Sequence, residues 1–225
     1  MFKRLFPYAI IFLLLQTGLR LSLLLRAIFD VEFNSSSIIS VLVRGVWLDI
    51  VTASFCLLPI ALYYIALPVR KHGTSFDQKM DRGMRFIFAF AILFDFVAEH
   101  LFWSEFTTRF NFIAVDYLIY TQEVIGNIQE SYPLYWLLFG IGIAAAGVTW
   151  ISLRSHPLQY DIRPTIKKRA GEFSAMLASC MVLYFVSSID QSHIKDNAEA
   201  SEIAANGIYN LFSAFWNNEI SYDRF

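Results

Sequence analysis

The chain has 225 residues, of which 56% are hydrophobic and 22 are phenylalanine, and its mean hydropathy is +0.49. That composition excludes an ordinary soluble domain. The net charge of −1, from 18 basic and 19 acidic residues with no basic surface, gives no reason to expect a nucleic-acid partner.

A membrane span needs about 20 mainly apolar residues to cross roughly 30 Å of hydrocarbon. Five segments qualify: Phe6–Phe29, Ile38–Leu67, Met84–Trp103, Pro133–Leu153 and Gly171–Asp190. Lys3 and Arg4 precede the first, but its apolar run is too long for a signal peptide and no small-x-small cleavage site follows, so it reads as a retained anchor. The second is long enough to tilt, or to bend at Pro59. The fourth carries Gly140, Ala144 and Gly147 on one stripe, a pattern that lets helices approach closely. Cys56 and Cys180 both fall inside spans and are expected to pack rather than to form a disulfide.

The loops suggest an orientation. Lys3 and Arg4 precede span one; Arg70, Lys71, Lys79 and Arg82 lie between spans two and three, with Arg85 at the very start of span three; Arg154, Arg163, Lys167, Lys168 and Arg169 lie between spans four and five. The opposite side holds Arg109, Lys195 and Arg224 among many acids, including Glu105, Asp116, Glu123, Glu130 and Glu202. The positive-inside bias therefore predicts a cytoplasmic N-terminus and an external C-terminus.

Several ionisable residues fall within the spans: Arg20, Arg26, Arg44, Asp49, Asp95, Glu99 and His100. Charges there are costly and usually face the bundle interior or a polar cavity. By helical rise, Arg44 lies about 9 Å from the outer end of its span and Glu99 about 6 Å, with Arg20 in the outer half of span one. Asp49 and Asp95 fall nearer the midplane, and Asp95 and Glu99 share a helix face. Two readings follow. The groups form interhelical ion pairs that fix the packing, or Arg20 or Arg44 meets an anionic phospholipid headgroup while Asp49, Asp95 and Glu99 orient it. Arg26 is expected to snorkel. Ion conduction is disfavoured by the odd span count and the lack of repeats.

Between spans three and four runs Arg109 to Pro133, too polar to cross a bilayer. Apolar Ile113, Tyr117, Val124 and Ile128 recur at helical steps, and Asp116, Glu123 and Glu130 keep heptad spacing on another face, with Tyr120 and Asn127 between them. This predicts an amphipathic helix over 113–130 lying on the membrane surface, with Arg109, Asn111, Asp116, Tyr120, Glu123 and Asn127 as its candidate polar contacts. In the tail, Ala198–Phe215 is expected to be one helix, with Ile203, Ile208, Leu211, Phe212 and Phe215 facing membrane or bundle.

Catalytic patterns are missing. His72 and His156 fall on one side, His193 on the other and His100 in span three; there is no HExxH, paired-cysteine spacing, glycine-rich phosphate loop or GxSxG elbow. No constellation of nucleophile, base and charge-stabilising group is readable, so no catalytic residue, metal or cofactor is expected in this chain itself.

Three stretches carry a resemblance. They are Arg109-Phe110-Asn111-Phe112-Ile113-Ala114-Val115-Asp116-Tyr117, continuing through Tyr120-Thr121, Glu123-Val124-Ile125, Asn127-Ile128 and Glu130-Ser131-Tyr132-Pro133; the tail Asn206-Gly207-Ile208-Tyr209 through Asn217-Asn218-Glu219 to Tyr222-Asp223-Arg224-Phe225; and Arg44-Gly45 with Asp49. Together they resemble the membrane domain of the lipoteichoic acid synthase-like family, the phosphoglycerol transferases of the sulfatase/alkaline phosphatase superfamily. The resemblance implies a bacterial cytoplasmic (inner) membrane protein whose enzyme transfers a phospholipid headgroup at the outer face. It also implies a catalytic domain, with a threonine nucleophile and manganese or magnesium, beyond the tail helix. None of those catalytic residues maps onto a position here. Phosphoethanolamine transferases of the same superfamily share the five-span plan and are the nearest alternative.

The expectation is thus an all-α membrane protein of five transmembrane helices, N-in/C-out, with an interfacial helix and an external linker helix. Residues 1–190 form the transmembrane domain and 191–225 the linker to a catalytic domain absent from this chain. Its partners are the phospholipid bilayer, an anionic headgroup and that catalytic domain. A stand-alone membrane scaffold and a small transporter are the rival readings.

Overall fold

The computed structural model describes residues 1–27, 34–119, 126, 129–157, 165–195 and 197–217. Among them the only regular elements are helices: α1 Phe2–Ala27, α2 Ser35–Cys56, α3 Leu58–Ala66, α4 Ser75–Phe106, α5 Phe112–Ile119, α6 Leu134–Ser155, α7 Ile166–Val186, α8 Ala198–Ala204 and α9 Gly207–Asn217. Short 3-10 turns lie at Val69–Lys71 and Ile189–Ser192. Five helical stretches are long and apolar enough to cross a membrane, namely α1, α2 continued by α3, α4, α6 and α7.

Local chemistry sets the boundaries. Asn34 starts α2 by accepting the Ser37 amide at 2.7 Å, and Thr74 does the same for α4 through the Asp77 amide. The second span is interrupted at Leu57, because Pro59 has no N–H to continue the ladder, so the expected bend is a break between two helices. Thr107 ends α4 in the left-handed conformation at φ 54°.

Two boundaries differ from expectation. α4 begins at Ser75, so Lys79 and Arg82 stand on the helix rather than in a loop, and α7 begins at Ile166, which does the same for Lys167, Lys168 and Arg169. Both starts were obscured because hydropathy falls at charged residues, while helical hydrogen bonding continues through them.

The long helices pack in the order α6, α4, α1, α2, with α7 against α2 and α3. The stripe of Gly140, Ala144 and Gly147 takes no part in this packing: it is exposed, and a Cβ added at either glycine would meet nothing within 4 Å. The α6 contact with α4 runs instead through Ile141, Ala145, Thr149 and Ser152, the buried residues of that helix.

The tail is not one helix but two. α8 lies against α1 and α2, with Ala200, Ile203 and Ala204 fully buried. After a corner at Ala205 and Asn206, α9 leaves in a new direction beside α5. The expected surface helix over 113–130 is seen as α5. Ala114 and Val115, rather than Ile113 and Tyr117, are its buried positions, because α5 packs on α9. Of the rest of that expected helix, residues 126 and 129–130 are helical and exposed, while Tyr120, Glu123 and Asn127 lie outside the described residues.

Candidate functional site

Two polar residues of α1, Gln16 and Arg20, face the bundle interior with 1% and 0% exposure. Opposite them, one turn of α2 brings Gly45 and Asp49 onto the same face. Arg20 forms a two-pronged pair with Asp49, Nη1 to Oδ2 at 2.5 Å and Nη2 to Oδ1 at 2.9 Å. Its remaining bonds go to backbone: Nε donates to the Ile203 carbonyl at 3.1 Å, and Nη2 to the Ala205 carbonyl at 3.2 Å. These carbonyls close the C-terminal end of α8, where unpaired oxygens and the helix dipole favour a cation. Gly45 makes this possible, since a Cβ there would overlap the Arg20 guanidinium.

The mirror arrangement holds Glu99. Its carboxylate sits against the start of α9, where a Cβ on Gly207 would overlap it, so an acid meets the positive end of a helix. Arg109 reaches back from the segment after α4 and pairs with Glu99 through Nε and through Nη2, the latter at 3.1 Å. Burial works against the Arg109 charge, but Glu99 outweighs it and raises the guanidinium above its ordinary value. The Arg109 amide donates to Glu202 at 3.2 Å. Burial pushes the Glu202 carboxyl up, against that amide and the Arg109 charge.

Asn206 joins the two halves. Its Oδ1 caps α9 by accepting the Tyr209 amide at 3.0 Å, while its Nδ2 donates to Asp49 at 2.8 Å and to Gln16 at 3.5 Å. Gln16 accepts from Arg109 at 3.3 Å and donates to Asp95 Oδ2 at 2.7 Å. Helices α1, α2, α4, α8 and α9 thus meet in one hydrogen-bonded ionic lattice.

Of the lipid-headgroup candidates, Arg20, Asp49 and Glu99 are fully enclosed in this lattice, each held by protein groups. Asp95 stands at its edge, half-buried, with the Gln16 amide as its hydrogen-bond donor and no guanidinium of its own. Arg44 lies apart: it is exposed, and its Nη1 donates to the carbonyls of Gln191 and His193 at 3.1 and 2.9 Å. Trp47 beside it donates to the Gln191 side chain at 2.8 Å. Arg26, expected to snorkel, is exposed and donates to Ser104 at 2.8 Å.

Among the interfacial candidates, Arg109 is turned inward, with 1% exposure. Asn111 starts α5, its Oδ1 accepting the Ile113 amide at 2.9 Å and its Nδ2 donating to Thr108 at 3.1 Å. Asp116 is exposed. The sequence pattern paired the acids with Arg20 and Arg44. The actual second cation is Arg109, which periodicity alone placed on the surface. Gln16 carried no readable signal, and Asn206-Gly207 fell inside the single tail helix expected over Ala198–Phe215.

Because Asp95 receives a hydrogen bond that a neutral amide oxygen can also accept, Asp95→Asn is expected to keep the fold. Its unfolding free energy in detergent should stay within about 1 kcal/mol of the parent, the worth of one ordinary hydrogen bond.

A second polar cluster ties the other end of the bundle. Arg4 on α1 grips Asp77 on α4 at 3.0 and 2.8 Å, and Tyr8 and Tyr64 both donate to Asp81. Asp81 also pairs with Arg85 at 2.8 Å. Arg169 on α7 donates to the closing carbonyls of α3, at Tyr64, Ile65 and Leu67, and contacts His72 Nε2 at 2.9 Å. Burial, with Arg4 and Arg169 nearby, holds the His72 imidazole below its usual value, and because a guanidinium can only donate, Nε2 is the acceptor in this contact. These arginines act as packing groups.

Among the described residues no group of three or more His, Cys, Asp or Glu is placed to hold a metal ion. No family model, no curated protein and no solved structure matches this chain.

Proposed function

We propose that this chain is the membrane-anchoring and lipid-access domain of a phosphoglycerol-transferase-like enzyme in a bacterial cytoplasmic membrane, with its N-terminus inside and its tail outside. In this reading the five spans hold a catalytic domain carried after the tail, and the outer rim of the bundle presents an anionic phospholipid headgroup to it. Among the described residues none are grouped to make the metal centre that the family resemblance implies, and no step of the transfer is assigned to them. The observation that supports the reading best is the docking of the tail: α8 and the Asn206 corner are locked onto one end of the bundle by Arg20, Asp49 and Glu99, as an anchor for a following domain requires.

Arg44 is the residue left for the headgroup, since it is the exposed arginine beside the tail and Arg20 is sealed. Extraction into mild detergent followed by lipid mass spectrometry is expected to show phosphatidylglycerol enriched over phosphatidylethanolamine, with Arg44→Ala lowering that enrichment several-fold while the melting temperature holds. Equal recovery of both lipids from parent and variant would remove the headgroup role. Intact-mass analysis of the native membrane protein separates the transferase from the scaffold reading: a species heavier than 25.9 kDa by a whole domain is expected for the former.

A further inference from the structure

Neither α5 nor α9 can cross a bilayer: at eight and 11 residues they extend about 12 and 16 Å. Yet α9 does not begin outside the bundle. Gly207 abuts the Glu99 carboxylate, which lies about 10 Å down the axis of α4 from its end at Phe106. Ile208 packs with Phe12, Ala53 and Ile92 deep between α1, α2 and α4. From that buried start α9 runs outward, and its later side chains emerge: Phe212, Phe215 and Trp216 are 68%, 61% and 80% exposed. α5, packed alongside, exposes Phe112 and Ile119 to a similar degree.

Three features identify what covers this face. Its depth is set by the Glu99 contact, which places the start of α9 below the ends of the spans. Its lateral position is set by Tyr209, whose hydroxyl lies 3.5 Å from that of Ser187 at the end of α7. There α9 adjoins the span surface bearing Tyr184 and Phe185, with Tyr135 and Trp136 at the start of α6 on the same end of the bundle. Such a ring of exposed Tyr, Trp and Phe marks the interfacial belt of a membrane protein. Finally, α9 carries no charged residue, so nothing on it calls for an acidic or basic partner.

We infer that α9, flanked by α5, is an in-plane collar whose Phe212, Phe215 and Trp216 are immersed in the acyl chains of one leaflet, just beneath the headgroups. The tail then leaves the bundle sideways through lipid rather than upward into water. This holds whether or not the chain belongs to a transferase; it rests on the five membrane spans.

The test uses the full chain in phosphatidylcholine vesicles, with Cys56 and Cys180 replaced by alanine and a nitroxide attached in turn at Phe212→Cys and Phe215→Cys. Phe185→Cys on α7 and Lys195→Cys in the exposed loop serve as references. Power saturation is expected to show high collision with oxygen and low collision with a water-soluble nickel chelate at 212 and 215, as at 185 and opposite to 195. Nickel accessibility matching 195 would put α9 in water and overturn the collar. Low collision with both reagents would mean that protein, such as a second copy, covers the face, and would overturn it equally. Trp216→Phe gives an independent reading: it should remove a component of tryptophan emission that lipids brominated near the headgroup quench, and an unchanged quenching profile would count against the collar.

Discussion

Asp49→Asn should cost this protein most of its stability. The substitution leaves Arg20 charged, fully enclosed and facing only carbonyls and an amide, and removing one partner of a buried ion pair typically costs about 3–5 kcal/mol. Asn206 also loses a charged acceptor, which adds to the effect. In an SDS-titration unfolding experiment the transition is expected to move to far lower denaturant, or the protein to be degraded in its membrane. The informative control is the double variant Arg20→Met with Asp49→Leu. If the pair itself is dispensable, that variant should recover much of the loss, because it buries no unpaired charge. Recovery to parental stability would show that the pair gives the bundle no net stability; failure to recover would show that Arg20 is needed to hold the α8 carbonyls.

Gly207→Ala and Gly45→Ala are the next largest effects expected, from changes of a single methyl group. Each added carbon would lie within the volume of a charged group, the Glu99 carboxylate in one case and the Arg20 guanidinium in the other. Neither group can swing away, since both are enclosed and already paired. Overpacking of this kind costs about 1–3 kcal/mol in ordinary cores, and here it also lengthens ion pairs. Gly140→Ala on α6 is the contrast, because its new methyl meets nothing and alanine is the better helix former by about 1 kcal/mol. The expected order of thermal stability in detergent is therefore Gly140→Ala at or above the parent, with both lattice variants well below it. Equal behaviour of all three would mean that the close approaches at Gly45 and Gly207 do not exist.

The five long helices were legible because a bilayer imposes a length and a composition on whatever crosses it, and runs such as Ile10–Leu15 satisfy both. The break near Pro59 was legible for the equally local reason that proline lacks a donor. The lattice was only half legible. Charges inside apolar spans announce that partners exist, but partner identity depends on which chain segment folds back, and spacing does not encode that. Arg109 illustrates the difficulty: three residues beyond the end of α4, it looks like part of a wet loop, and only the reversal after Thr107 aims it at Glu99. The small-residue stripe of α6 misled for the opposite reason. A stripe is necessary for close approach but needs a facing helix, and the face used here is Ile141, Ala145 and Thr149. The tail read as one helix because Ala198–Phe215 has suitable composition throughout; the corner at Asn206 arises from what its amide bonds to, which lies in α1 and α2.

The distance along the chain between the members of that lattice has a consequence for how the protein is made. Asn206 donates to a carboxylate 157 residues upstream. Arg20 and Asp49, only 29 residues apart, can find each other as soon as the first two spans have left the ribosome. The α8 carbonyls and the Asn206 amide arrive on the order of 10 s later at ordinary rates of synthesis. For that interval a charge pair stands in the nascent bundle without its lid, and Glu99 without its helix terminus. Assembly therefore has a late, tail-dependent step, and a nascent chain halted before Ile203 presents the membrane with an open ionic mouth, the form that quality-control proteases have longest to find.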